Sequence, residues 1–214
     1  NDDLTGIKIY FGRNEVKEIN FIKNNSPDGS IFIDIGANMG LYTQNIAFLN
    51  STNRVIKIIS IEPNPTNIDR LKKNIILLKS KIKNIKKLVK IINCAVDKNN
   101  YKKKLDFSNG LANGYISNNE NKKHTISVNC KKLYDIVKEE NIKYITNLKI
   151  DIEGYEDRAL IPFFKHAKKS LFPKNILLEH SSSALWKKDL IKFLFKKGYK
   201  IVFKNKSNLA LTLN

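Results

Sequence analysis

A chain of 214 residues, 42% of them hydrophobic, is long enough for one full α/β core and short for two domains. Its 39 Lys and Arg against 20 Asp and Glu give a formal charge of +19. That balance suits anionic partners, yet the lysines are spread along the whole chain as solvated faces, without the interleaved aromatic residues of a nucleic-acid module. No apolar run approaches the roughly 20 residues of a membrane span, and two cysteines without metal-type spacing point to a reducing, cytoplasmic setting.

In chain order, Val16, Ile19 and Ile22 stand at helical spacing and predict a leading helix over 14–23, closed by the Asp28-Gly29 turn. Residues 1–30 read as a helical lead-in and 31–214 as one domain. The chain opens on Asn1 rather than methionine, which leaves room for a segment ahead of it. The apolar run 31–33 ends in Asp34, and Gly36 and Gly40 then bend a tight loop into a helix. A dinucleotide fingerprint needs three glycines, G-x-G-x-x-G, to pack a pyrophosphate on the helix N-terminus. This loop reads G-A-N-M-G, with Asn38 where the second close-approach glycine would stand. A smaller, phosphate-free ligand fits it better, S-adenosylmethionine (SAM) foremost.

The run 55–61 leads to Glu62, an acid placed like the ribose-binding carboxylate of nucleotide folds. Pro65 then sits at a first helical position, where its missing N–H costs nothing. The helix predicted over 65–79 carries Ile68, Leu71, Ile75 and Leu78 as its apolar stripe. A third strand, 89–92, opens into Asn93-Cys94-Ala95-Val96-Asp97, a segment expected beside the adenine. Residues 104–107 and 125–128 alternate like half-exposed strands around a loop-forming stretch, 108–115. A helix over 133–140, a strand over 147–152, a helix over 156–168 and a strand over 175–178 follow. A helix over 185–197, stopped by Gly198, and strands over 201–203 and 209–213 complete the chain. This order predicts an α/β fold, a doubly wound, mostly parallel seven-stranded sheet with an antiparallel C-terminal strand.

The set DIGANMGLYT (34–43), EPNPTNIDRLKKNI (62–75), NCAVD (93–97), LKIDIEGYE (148–156) and LLEHS (177–181) resembles the FkbM family of SAM-dependent methyltransferases. The likeness runs from about residue 31 to the C-terminus. It implies a class I SAM-methyltransferase (Rossmann-like) fold. It also implies O-methylation of a hydroxyl on a polyketide, sugar or cell-surface glycan, with the acceptor left open.

Open α/β sheets bind ligands outside the carboxyl ends of their strands, where strand order reverses. Asp34, Glu62, Asn93, Asp151 and His180 all stand at or just past such ends. Gly36 and Gly40 are expected to admit the methionine part of SAM to the backbone, with Asn38 near its carboxylate. Glu62 is expected to hold the ribose and Asp151 the ammonium, and Thr43, Pro63 and Ala95 complete the cofactor-binding set. An alcohol acceptor must lose a proton, and Asp151, Glu153 and His180 are the candidate catalytic residues. His180 is the sharpest of them, because a histidine accepts and releases a proton near neutrality. No metal is expected among these acids. The basic surface suits an acidic glycan or small-molecule acceptor, and a nucleic-acid partner is not expected. Two other readings remain: an RNA ribose methyltransferase, and a non-catalytic SAM-binding interaction module. D-I-E-G stands where an amino-methylating enzyme carries an N/D-P-P-aromatic motif, which counts against methylation of base amines.

Overall fold

The computed structural model describes residues 15–52, 54–106, 115–116 and 125–214. Its first half comprises α1 (Val16–Asn24), β1 (Ser30–Ile35), α2 (Leu41–Ala47), β2 (Val55–Ile61), α3 (Pro65–Leu77), α4 (Ile85–Leu88) and β3 (Val89–Ile92). Four short strands follow, β4 (Ala95–Val96), β5 (Tyr101–Asp106), β6 (Tyr115–Ile116) and β7 (Thr125–Lys131). The rest is α5 (Leu133–Glu139), β8 (Asn147–Ile150), α6 (Glu156–His166), β9 (Asn175–Glu179), α7 (Leu190–Lys196), β10 (Tyr199–Lys204) and β11 (Asn208–Leu213).

Seven strands form one sheet in the order β10-β11-β9-β8-β1-β2-β3, and β11 alone runs antiparallel to its neighbours. The pleat divides the core into two layers. Ile33, Ile35, Ile59, Ile61, Leu148 and Ile150 face one side, where they pack with side chains of α5, α6 and α7. Phe32 and Ile58 face the other side, against α1, α2, α3 and α4. Every residue of β1 is buried, which is why its apolar run is continuous rather than alternating. Strand order reverses between β1, which pairs with β2, and β8 on its other edge. The crevice above those two strands is where such a sheet takes a ligand.

Helix starts follow local chemistry. Asn64 caps α3 by accepting from the Thr66 N–H, and Pro65 occupies the first turn as its position predicts. Gly198 ends α7 at φ +96°, a left-handed stop of the kind its position predicts. The helix predicted over 185–197 is shorter than its apolar periodicity suggests. Residues 183–185 form a single 3-10 turn, and the α-helix begins only after Asp189, whose carboxylate accepts from the Lys192 N–H.

The half-exposed strands do not join the main sheet. They form a second, four-stranded sheet in the order β4-β7-β5-β6, with its own small core of Ala95, Leu105, Val128 and Cys130. Arg158 of α6 pins this sheet by a bidentate pair with Asp97, which also accepts from the Tyr101 hydroxyl. Most of the loop predicted over 108–115 lies outside the described residues.

Candidate active site

The crevice is built on a polar row running across three buried strands. Lys149, Asp34 and Ser60 are register partners on β8, β1 and β2, so their side chains share one face of the sheet. Asp34 is fully buried, and its Oδ2 accepts from the Thr43 N–H and hydroxyl at 3.2 and 2.7 Å. The single Thr43 hydroxyl proton is thereby used, so Ser60 donates to Thr43 across 2.7 Å. Asp34 Oδ1 has no hydrogen-bond donor among the described residues. The nearest cation is the Lys149 ammonium at 3.8 Å, which also lies 3.6 Å from Asp151, donates to the Gly36 carbonyl at 2.9 Å and covers the Tyr42 ring.

Burial alone pulls the Lys149 ammonium down, but Asp151, Asp34, Glu15 and Glu62 together outweigh it and hold its pKa above the usual lysine range. Burial pushes Asp34, Glu62 and Glu15 upward in turn. Glu15, at the N-terminus of α1, accepts from the Tyr42 hydroxyl and keeps one buried oxygen without a donor. One ammonium therefore faces four carboxylates.

The glycine loop has packing reasons of its own. Gly36 and Ala37 donate to the Ile61 carbonyl, and Gly36, Asn38 and Gly40 all have positive φ, +73°, +50° and +93°. A Cβ on Gly36 would meet the Asp151 carbonyl oxygen at 1.8 Å, and one on Gly40 would meet Leu71 at 2.3 Å. Glu62 binds this loop to α3: one oxygen accepts from the Asn38 N–H and the other from the Asn64 N–H, both at 2.9 Å. The Asn67 amide donates to the second oxygen as well, at 3.4 Å, so the oxygen bound to Asn38 is the one that keeps a further lone pair. Asn93 is exposed at the rim and donates to the carbonyls of Glu62 and of half-buried Pro63. Ala95 instead turns into the second sheet's core, and Thr43 is wholly internal.

On the other flank, Glu153 and Gly154 take consecutive left-handed conformations at φ +56° and +92°. Across this turn Asp151 and Glu153 act on each other. Burial pushes the Glu153 carboxyl up to about 7, with repulsion from Asp151, Glu179 and Glu156 adding to it. Glu156 organises the turn: one oxygen accepts from the Ile152 and Gly154 N–H groups, the other from the Trp186 indole at 2.7 Å. Leu185 fills the space a Cβ on Gly154 would need. His180 is half-buried at the end of β9, and its Nε2 lies 3.1 Å from the Asn205 carbonyl. A carbonyl only accepts, so Nε2 holds the proton and Nδ1 is the acceptor of the ring. Asp34, Glu62, Asp151 and the glycine loop thus share one electrostatic cluster with Lys149. Glu153 joins it through Asp151, whereas His180 is held toward the β10–β11 turn.

Sequence reasoning passed over Lys149, Glu15, Glu156 and Trp186. Lys149 had a signal, since a lysine in the middle of a buried parallel strand needs a partner. Nothing local marked the other three.

The sequence profile of the methyltransferase FkbM domain matches residues 34–201. The chain matches no curated protein. Among solved structures, a methyltransferase FkbM from Methylobacillus flagellatus KT superposes with a TM-score of 0.60 at 16% identity, covering 88% of this chain. The chain spans 44% of that protein's length. The METTL16 methyltransferase domain superposes with a TM-score of 0.54 at 14% identity, covering 94% of this chain and 67% of that one. Likeness at such identities is likeness of fold, the class I SAM-methyltransferase fold.

Proposed function

The chain belongs to the FkbM methyltransferase family, and on that premise we propose that it is a SAM-dependent O-methyltransferase acting on a hydroxyl of a glycan or small-molecule acceptor. The observation that carries the cofactor is the surplus of carboxylate around Lys149. Asp34, Glu62 and Asp151 at the ends of β1, β2 and β8, with Glu15 at the N-terminus of α1 beside them, face one ammonium and suit a ligand with two cationic centres and one anionic one. The glycine loop and the buried strand-end carboxylate Glu62 fit the same ligand. When bound, SAM supplies a methyl group on a sulfonium, with a neutral thioether as its leaving group.

The chain's own part is binding, orientation and a proton. Asp151, with its side chain 38% exposed, is the carboxylate open to the ammonium. Glu62 Oε2 offers its remaining lone pair to a ribose hydroxyl, and the Gly36–Gly40 loop with Asn38 closes on the methionine part. Glu153 takes the hydroxyl proton: a carboxyl held near 7 is a stronger base than an ordinary glutamate and is still ionised above neutrality. His180 Nδ1 is the second candidate for that role.

Calorimetric titration with SAM and with its demethylated product tests the cofactor. The unaltered chain should bind both saturably, and Glu62→Ala should weaken SAM about tenfold or more through lost ribose bonds. No binding of either ligand by the unaltered chain would replace this reading with the interaction module. Unchanged affinity in Glu62→Ala would remove Glu62 from the ribose.

The base has its own test. Glu153→Gln should lower turnover about a hundredfold at mildly alkaline pH, flatten the acidic limb of the rate profile and leave SAM affinity within about threefold. His180→Ala should cost about tenfold through acceptor positioning. The reverse ranking would move the base to His180.

A further inference from the structure

We propose that the groove between α6 and α7 binds an acidic glycan chain, the acceptor that presents its hydroxyl to the strand ends. This rests on the methyltransferase reading above and names its substrate class. Two adjoining cavities, about 170 and 270 Å3, share Ile161 and Lys188. The first takes in Asp157 and Arg158, from the first turn of α6, directly after the Glu153-Gly154 turn. The second continues down the helix pair to Lys165, Lys192 and Lys196.

Charge in this groove is not cancelled locally. Lys98, Lys165, Lys187, Lys188, Lys192 and Lys196 line it, and none is in an ion pair among the described residues. Two acids, Asp157 and Asp189, also line it, so six unpaired ammonium groups face two carboxylates. Asp97 is held by Arg158, Asp189 caps α7, and Asp157 Oδ2 accepts from the backbone of Lys187 and Lys188.

A second observation selects the chemistry. Asp157 lines the first cavity, is 3% exposed, and its Oδ1 has no hydrogen-bond donor among the described residues. An unpaired buried acceptor among unpaired ammonium groups matches a ligand carrying hydroxyl donors as well as negative charge, which is a uronic-acid type of sugar chain. Ile161 and Pro162 give the floor an apolar surface for sugar C–H faces, with lysine stems beside it. Single-stranded RNA needs an aromatic platform on which to stack. The one ring in the lining, Phe193, is already covered by Lys197 at 5.5 Å and packed on Phe164.

The test measures anisotropy of a labelled polygalacturonate oligomer on the full chain. A neutral dextran oligomer of equal length and an RNA strand of equal charge are run beside it. Polygalacturonate should bind, dextran should not, and RNA should bind more weakly. The double variant Lys188→Glu, Lys192→Glu should weaken polygalacturonate about tenfold or more and lower its logarithmic salt slope by about two. Lys72→Glu, Lys73→Glu, an equal charge change on the exposed face of α3, should leave affinity within about twofold. Equal losses in the two double variants would overturn the groove in favour of diffuse attraction by net charge. Tighter binding of RNA, or no binding of polygalacturonate, would overturn the glycan. SAM titration of the same samples keeps the two proposals apart: lost SAM binding sinks the methyltransferase reading, whereas retained SAM binding with an indifferent groove sinks only this one.

Discussion

Gly36→Ala is expected to cost about 4 kcal/mol or more, which takes most or all of the stability of an ordinary domain. The left-handed backbone at φ +73° accounts for about 1–2 kcal/mol of this. The larger share is steric, because the new Cβ would stand 1.8 Å from the Asp151 carbonyl oxygen. That oxygen is backbone, just past a strand hydrogen-bonded to β1 on one side and β9 on the other, so it has little freedom to yield. Gly29 supplies the control. It has a similar φ of +78°, but its nearest atom, the Tyr144 hydroxyl, is 3.6 Å away. Gly29→Ala should therefore show the conformational cost alone, about 1–2 kcal/mol. Urea unfolding of the two variants measures the difference, and equal losses would mean that β1 and the end of β8 are not in the contact described.

Lys149→Met is the second large effect. It removes the one ammonium from among Asp34, Asp151, Glu15 and Glu62 and leaves buried carboxylates facing one another. Breaking a buried pair in this way costs about 3–5 kcal/mol at neutral pH. The pH dependence has a definite sign. Burial holds Asp34, Glu15 and Glu62 above their unfolded pKa values. Each then contributes stability that is fully present below the unfolded value and is lost as pH rises through the folded one. Without Lys149 the folded values rise further, so the deficit of the variant should be greatest at neutral pH and shrink toward pH of about 4–5, where the acids take up protons. Unfolding free energies of both proteins at acidic and neutral pH decide it. A deficit independent of pH would mean that Lys149 acts by packing alone.

The strands of the main sheet were legible because each is a short apolar run bounded by turn residues, with an acid or amide at its carboxyl end. Asp34, Glu62 and Asp151 could be placed at one edge for the same reason: parallel strands put all their carboxyl ends together. Pairing partners were harder to read. Residues 101–106 and 125–131 alternate as half-exposed strands do, yet nothing in that pattern says whether they extend the main sheet or form another. The late start of α7 was hidden too. The residues from 185 onward carry helical periodicity, but Leu185 packs against Gly154 and the Trp186 indole bonds to Glu156, and those tertiary ties hold the chain out of helix. The Lys149 cluster is a contact among α1, β1, β2 and β8, and only the fold brings it together.

The chain has one tryptophan. Its indole N–H is bonded to the same glutamate that fastens the Ile152–Gly154 turn, which contains Glu153 and directly follows Asp151. Tryptophan emission, excited at wavelengths that the eight tyrosines do not absorb, is therefore a single-site signal, free of the averaging that several indoles impose. Its emission wavelength and quenching follow the turn beside the reacting groups, so occupancy of the crevice can be titrated optically on the unlabelled chain.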